Sequence, residues 1–251
     1  MSKFCANLTL LFTEFPLLER PMEAAKAGFE GVEILFPYDV NAAELGTALA
    51  RAKMPLALIN CPPPNYTDSD GPRGFAAVVG EEARFQQSFR RTIRYAGALG
   101  AEHVHIMAGT AEGLDARACF VENLKWAAAF APKQSLTIEP INTHDMPGYF
   151  LNSFDLALEV LDEVNAPNLH LQFDAYHAAR IEGDVMGVWN KVHQKVAHIQ
   201  VGGVPDRYEP SGGDFDYPAF FKVLKKQGYR GWISGEYHPA GRTTENLSWI
   251  S

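Results

Sequence analysis

Eight short apolar runs recur along the chain, each followed by a longer segment of helical period, and this alternation restricts the fold more than any other feature. The runs are residues 5–11, 31–36, 56–60, 103–107, 136–139, 169–173, 196–201 and 232–236. The strongest of them, VEILF, LALIN, LTIE and AHIQV, are apolar nearly throughout. Strands covered on both faces read this way, whereas half-wetted antiparallel strands alternate, so a parallel sheet is expected.

The intervening segments carry helix signals. In residues 153–164 Leu156, Val160 and Val164 are spaced four apart, with Ser153 as N-cap and Pro167 just beyond the end. Residues 81–99 repeat the pattern through Phe85, Phe89 and Ile93 and close on Gly100. Residues 16–27 and 217–227 close in the same way on Gly28 and Gly228. Eight strands, each followed by a helix, close a single (β/α)8 TIM barrel over residues 1–251. A doubly wound sheet uses the same alternation with fewer strands, and the first strand–helix turn lacks its Gly-rich fingerprint.

Composition narrows the function. With 22 basic and 30 acidic residues the net charge is −8, which argues against nucleic-acid or anionic-membrane partners, since both demand positive surface. Three scattered cysteines give neither a disulfide framework nor a Cys-based zinc site. The opening MSKFCANLTLLF is a poor signal peptide, and no window approaches about 18 uninterrupted apolar residues, so the expected location is cytoplasmic. The longest irregular stretch, residues 61–80, holds three successive prolines and several glycines, and is expected to cover the barrel mouth.

Polar residues at the carboxyl ends of the last four strands are the sharpest chemical signal. Glu139 ends LTIE, Asp174 follows LHLQF, Gln200 interrupts AHIQV and Glu236 follows WISG. A carboxylate in such a place is costly to bury unless it is paired or holds a metal. Adjacent strands of a barrel bring their carboxyl ends to one mouth, where three carboxylates repel one another and a divalent cation removes the conflict. Three carboxylates and one amide oxygen suit Mg²⁺ or Mn²⁺ better than zinc. Taken singly, each of these residues could equally be a helix cap or a salt-bridge partner.

Other residues near the mouth are weaker candidates. His177, in DAYH, can reach it as a hydrogen-bond donor, and Arg207, in GGVPDRYEP, can hold an anionic group. His105 is either a substrate contact or a buried histidine satisfied by backbone, while Asn142 and His144 read as turn residues. Arg84, Arg90, Arg91 and Arg94 share one helix with Glu81 and Glu82 and read as a solvated face.

At these positions the chain resembles the hydroxypyruvate isomerase family of the xylose-isomerase-like barrels. The segments LTIEPINTHDMPGYFLN, NLHLQFDAYH, HIQVGGVPDRYEP and GEYHPAG carry the resemblance, which runs from about residue 7 to the C-terminus. It implies that Glu139, Asp174, Gln200 and Glu236 hold the metal, that Glu139 and Glu236 are the acid/base pair, and that His177 and Arg207 face a small 2-oxo acid or sugar-acid substrate. By family analogy it also implies a homo-oligomer. The implied reaction is metal-assisted aldose–ketose isomerisation of hydroxypyruvate to 2-hydroxy-3-oxopropanoate. A 2-oxo-tetronate isomerase and a ketose 3-epimerase are alternatives on the same site, and a non-catalytic binding barrel is an alternative of another class. A damaged-DNA endonuclease is disfavoured, because eight histidines lie dispersed along an acidic chain. After Arg207 the chain reads PSGGDFDY where relatives carry a threonine–glycine–glutamate pattern, which bears on substrate identity more than on reaction type.

Overall fold

Every expected run forms a strand in the computed structural model, which describes residues 3–62, 72–211 and 213–250. The strands are β1 (Lys3–Asn7), β2 (Gly31–Glu33), β3 (Leu58–Cys61), β4 (His103–Ile106), β5 (Ser135–Ile138), β6 (Leu169–Asp174), β7 (Val196–Val201) and β8 (Trp232–Gly235). All ladders are parallel, in the order β2-β1-β8-β7-β6-β5-β4-β3. Hydrogen bonds from Ala57 N to Val32 O (2.7 Å) and from Ile34 N to Leu58 O (3.1 Å) join β2 to β3 and close the ring.

The helices form the outer layer: α1 (Arg20–Lys26), α2 (Ala42–Ala52), α3 (Glu82–Leu99), α4 (Gly113–Phe130), α5 (Phe154–Val164), α6 (Ala175–Glu182), α7 (Val185–Val192) and α8 (Tyr217–Lys226). Their caps follow the sequence signals. Ser153 Oγ accepts from Leu156 N at the start of α5, and Gly100 ends α3 at φ 67°. Phe154, Ala157, Val160, Leu161 and Val164 form the buried face of α5, each large member contributing about 1.5–3 kcal/mol. Much of this packing is aromatic: Phe85 and Phe89 of α3 meet Trp126 of α4, and Phe173 of β6 meets Trp189 of α7.

Two expected boundaries shift by four residues, and β2 ends at Glu33, three residues short of the expected run. The first strand ends at Asn7, not at residue 11, because Leu10 N and Leu11 N both turn back to Asn7 O (3.1 and 2.8 Å). Helix α1 starts at Arg20, since residues 16–19 form turns ahead of Pro21. Within the stretch expected to cover the mouth, residues 63–71 lie outside the described residues. Its later part packs into the barrel top: Phe75, Ala76 and Ala77 are buried and Gly74 bridges Ala108. Gly74 has φ 113°, and a Cβ there would lie 2.3 Å from Met107 O, so only glycine fits this approach. The α3 arginines are exposed as expected, Arg84 pairing with Glu81 and Arg90 lying over Trp126.

Candidate active site

The strand ladder puts the four strand-end residues in register at one mouth. Asp174 pairs with Gln200 across β6–β7, and Gln200 pairs with Ser234 across β7–β8, two residues before Glu236. Glu139 follows β5 directly. Glu139, Gln200 and Glu236, with His105, His177 and Arg207, line one cavity of about 370 Å³. Asp174 stands at its edge, bonded to Arg207. All seven sequence candidates are therefore brought together.

The barrel interior beneath them is polar and hydrogen-bonded, where side chains of such barrels are ordinarily branched and apolar. Gln172 Nε2 donates to Glu139 Oε2 (3.0 Å) and to Gln200 Oε1 (2.7 Å), and Gln172 Oε1 accepts from Thr137 (3.0 Å). Gln200 Nε2 donates to Glu33 Oε1 (2.9 Å) and to Glu236 Oε2. Asn7 Nδ2 reaches the same two oxygens, at 2.8 Å to Glu33 and 3.1 Å to Glu236.

Arg207 supplies the charge that so many carboxylates require. Its Nη2 donates to Asp174 Oδ2 (3.1 Å) and Glu236 Oε1 (2.7 Å), with the Tyr176 ring 4.9 Å from the guanidinium carbon. The residue sits at φ 57°, an uncommon backbone for a non-glycine, in the loop between β7 and α8. Burial would lower its pKa, but Glu236, Asp174 and Glu139 outweigh that and hold it above its ordinary value. Burial, then Glu236 and Asp174, push the Glu139 carboxyl well above the usual range. Glu236 is pushed up to about 8 by burial, with Arg207 opposing and Glu33 adding to the rise.

The two histidines have distinct environments. Asn142 Oδ1 accepts from Asp145 N (2.9 Å), which fixes its amide so that Nδ2 donates to His177 Nδ1 (2.7 Å). The His177 proton therefore sits on Nε2, the nitrogen 3.6 Å from Asp174 Oδ2 and 4.0 Å from Glu139 Oε1. Burial holds its pKa down to about 4, so the ring is a neutral donor facing the cavity. His105 Nδ1 lies 3.2 Å from Asn60 Oδ1 and 3.7 Å from Glu139 Oε2, a side-chain environment in place of a backbone one. Burial lowers its pKa to about 3.

Several residues of the site escape sequence reasoning. Asn142 orients His177, and Asn60, Arg73, Asp145 and His238 line the cavity. Glu33 and Asn7 carry the same signal as Glu139, a polar group at the end of a strand, but each is followed by further apolar residues and reads as part of its run. Gln172 lies next to the apolar Phe173 and reads as part of the strand.

The donor set fits a divalent cation. Glu139 Oε1 is buried with no hydrogen-bond partner among the described residues, and ligand atoms of Glu139, Asp174 and His177 lie within 4.8 Å of one another. The Nε2 proton makes His177 a donor at this edge, so Glu139 and Asp174 supply the oxygens there, while Gln200 Oε1 accepts from Gln172 and Glu236 Oε1 from Arg207. Hard oxygens of this kind suit Mg²⁺ or Mn²⁺.

Comparison with known proteins agrees with the barrel fold. The family model described as xylose isomerase-like TIM barrel matches residues 22–251. The 2-oxo-tetronate isomerase of Cupriavidus necator is 43% identical over 100% of this chain and 98% of its own length. The hydroxypyruvate isomerase of Escherichia coli is 38% identical over the same shares, 100% and 98%. The crystal structure of a Brucella melitensis protein named AP endonuclease, family 2 superposes with a TM-score of 0.95 at 40% identity, covering 100% of this chain and 98% of that one. The chain belongs to the xylose isomerase-like TIM barrel family, in the branch that holds the hydroxypyruvate and 2-oxo-tetronate isomerases.

Proposed function

We propose that this aldose–ketose isomerase moves the carbonyl of a short 2-oxo acid between C2 and C3, with hydroxypyruvate as substrate and 2-hydroxy-3-oxopropanoate as product. The observation that carries the reading is the pairing of Glu139 and Glu236 on opposite arms of one polar network, both with carboxyls pushed up by burial, around one cavity. Glu236, pushed up to about 8, can both take and return a proton near neutral pH.

Glu139, Asp174, Gln200 and Glu236 would hold Mg²⁺ or Mn²⁺. Such an ion, when bound, supplies a Lewis acid at the substrate's carbonyl and neighbouring hydroxyl oxygens. One of Glu139 and Glu236 removes the C3 proton, the other delivers a proton to C2, and the O3 hydroxyl proton passes to O2, so that the carbonyl and hydroxyl exchange places. His177 Nε2–H donates to a substrate oxygen and stabilises the negative charge that develops there. Arg207 and Arg73, both lining the cavity, take the substrate carboxylate, which otherwise enters a strongly acidic site.

A four-carbon 2-oxo-tetronate is the second reading, favoured by the 43% identity to the Cupriavidus necator enzyme. The cavity of about 370 Å³ accommodates either acid. A nuclease, the activity for which the Brucella melitensis protein is named, fits this site poorly: the cavity offers His105, His177 and His238 among acids on a chain of net charge −8.

The test is turnover by EDTA-stripped protein with Mg²⁺ or Mn²⁺ restored, comparing hydroxypyruvate, a 2-oxo-tetronate and a neutral ketose. Metal-dependent turnover with the highest kcat/KM on hydroxypyruvate is expected. A four-carbon preference reassigns the substrate and keeps the mechanism, whereas silence on all three with metal bound removes the isomerase reading.

A further inference from the structure

We propose that Glu33 is a positioning residue that fixes Gln200 and Glu236, and that it acts as a hydrogen-bond acceptor more than as a charge. The inference rests on the roles assigned above to those two residues. Glu33 lies on β2, three strands from β5 around the ring, and its side chain is wholly buried.

The geometry is a closed clamp of two carboxylates and two amides. Glu33 Oε1 and Glu236 Oε2 share the same two donors, Asn7 Nδ2 and Gln200 Nε2. Each amide has two N–H bonds, so each can serve one oxygen of each acid. Glu33 Oε2 is anchored from the opposite side by His198 Nε2 at 2.6 Å, and His198 is itself fully buried. The clamp therefore hangs from the barrel interior and not from a mouth loop.

Two consequences follow for the site. First, an amide between two carboxylate oxygens must present its NH₂ end to them, because its oxygen there would face two like partial charges. Gln200 Oε1 is thus turned the other way, toward Gln172 Nε2 (2.7 Å) and the Glu139 side of the cavity. Second, with Oε2 held inward, Glu236 presents Oε1 outward, where Arg207 meets it at 2.7 Å. Glu33 thereby decides which atom each of the two residues offers to the cavity, without lining the cavity itself. Partners of this kind behind a metal ligand are commonly worth 10–100-fold in affinity or activity.

Three variants test the proposal, read by Mn²⁺ binding in electron paramagnetic resonance, by kcat and KM, and by the side-chain ¹⁵N–¹H resonances of Gln200. Those resonances are assigned by their loss in Gln200→Glu. Glu33→Leu roughly keeps volume and removes the acceptor. It is expected to weaken Mn²⁺ binding and lower kcat by about 10–100-fold, to leave KM little changed, and to shift the Gln200 amide toward free exchange. Glu33→Gln can keep its oxygen on Asn7 and Gln200 while its NH₂ donates to His198 Nε2, the His198 proton moving to Nδ1, and is expected to restore most of both quantities. Glu33→Leu matching the parent protein in Mn²⁺ affinity and kcat overturns the proposal, as does Glu33→Gln being equally impaired. Where Glu33→Leu does not fold, Glu33→Asp decides: it withdraws the acceptor by about 1.5 Å, one bond length, so an unchanged Mn²⁺ affinity overturns the proposal and a clear loss supports it. The Gln200 resonance needs neither metal nor substrate. A resonance that shifts in Glu33→Leu, when the parent protein binds no Mn²⁺, would remove the metal reading and leave the positioning role intact.

Discussion

Asn142 Nδ2 and His177 Nδ1 lie 2.7 Å apart, and this one contact sets which face of the imidazole carries its proton. Because Asn142 donates, His177 must accept at Nδ1 and carry hydrogen on Nε2, toward Asp174 and Glu139. Asn142→Asp reverses the polarity: a carboxylate at this place draws the proton to Nδ1 and leaves a lone pair facing the cavity. The expected outcome is a fall in kcat/KM of about tenfold or more, the usual scale for a lost donor to developing charge. Long-range ¹H–¹⁵N spectra of the His177 ring check the tautomer directly, and an unchanged tautomer contradicts this assignment.

Glu236→Gln keeps the side-chain volume and removes the proton acceptor. Turnover is expected to fall by on the order of 10²-fold or more, with the circular dichroism spectrum unchanged. Near-parental turnover would take Glu236 out of the proton transfer.

The loop that carries Arg207 is cinched at Gly203, whose N donates to Tyr208 O and whose O accepts from Arg207 N, both at 2.7 Å. A Cβ on Gly203 would lie 2.5 Å from Glu209 O, a backbone atom that can yield only by moving the loop. Gly203→Ala is expected to lower kcat/KM by about tenfold or more, since small misplacements at a reacting site are costly. Gly97→Ala, on the exposed side of α3 with open space around its Cβ, is the control and is expected to raise stability by about 0.5–1 kcal/mol. Thermal melts and steady-state kinetics on both variants separate the two effects.

Acid lability is expected from the buried histidines. Burial lowers the His103 pKa to about 3, with His198 adding to the fall and Glu102 opposing it. Between that value and about 6.5 the unfolded chain binds a proton that the folded chain does not, so stability rises with pH in this window and is lost as pH falls. From pH 7 to pH 5 His103 alone costs up to about 2 kcal/mol. His103→Asn is therefore expected to flatten the dependence of the melting temperature on pH over this range, and an unchanged slope would contradict the assignment.

The barrel is legible in the sequence because its strands are covered on both faces and so stay apolar along their length. The first strand is overrun for the same reason: Leu8, Leu10 and Leu11 are apolar, yet the backbone of Leu10 and Leu11 turns back to Asn7 O. Helix α4 gives a weak period because buried residues wrap much of its circumference, from Ala116 through Val121 to Ala128. In the site, Glu139, Asp174, Gln200 and Glu236 stand out as polar ends of apolar runs. Glu33 carries the same signal on β2, but its partners Asn7, His198 and Gln200 come from β1 and β7, and only closure of the barrel brings them together. Asn142 cannot be assigned from spacing, since its role depends on a contact with His177, 35 residues away in the chain.

Proton transfer between C3 and C2 by two separate carboxyls has a direct isotopic signature. Conversion of hydroxypyruvate in D₂O, followed by ¹H NMR with the protein loaded with Mg²⁺, measures where the C2 hydrogen of the product originates. Deuterium at C2, appearing at the rate of enzymatic turnover, is the expected result, because the proton delivered by the second carboxyl has exchanged with solvent. Full retention of the substrate's own C3 hydrogen at C2 would instead mean direct hydride transfer, and would contradict the roles given to Glu139 and Glu236.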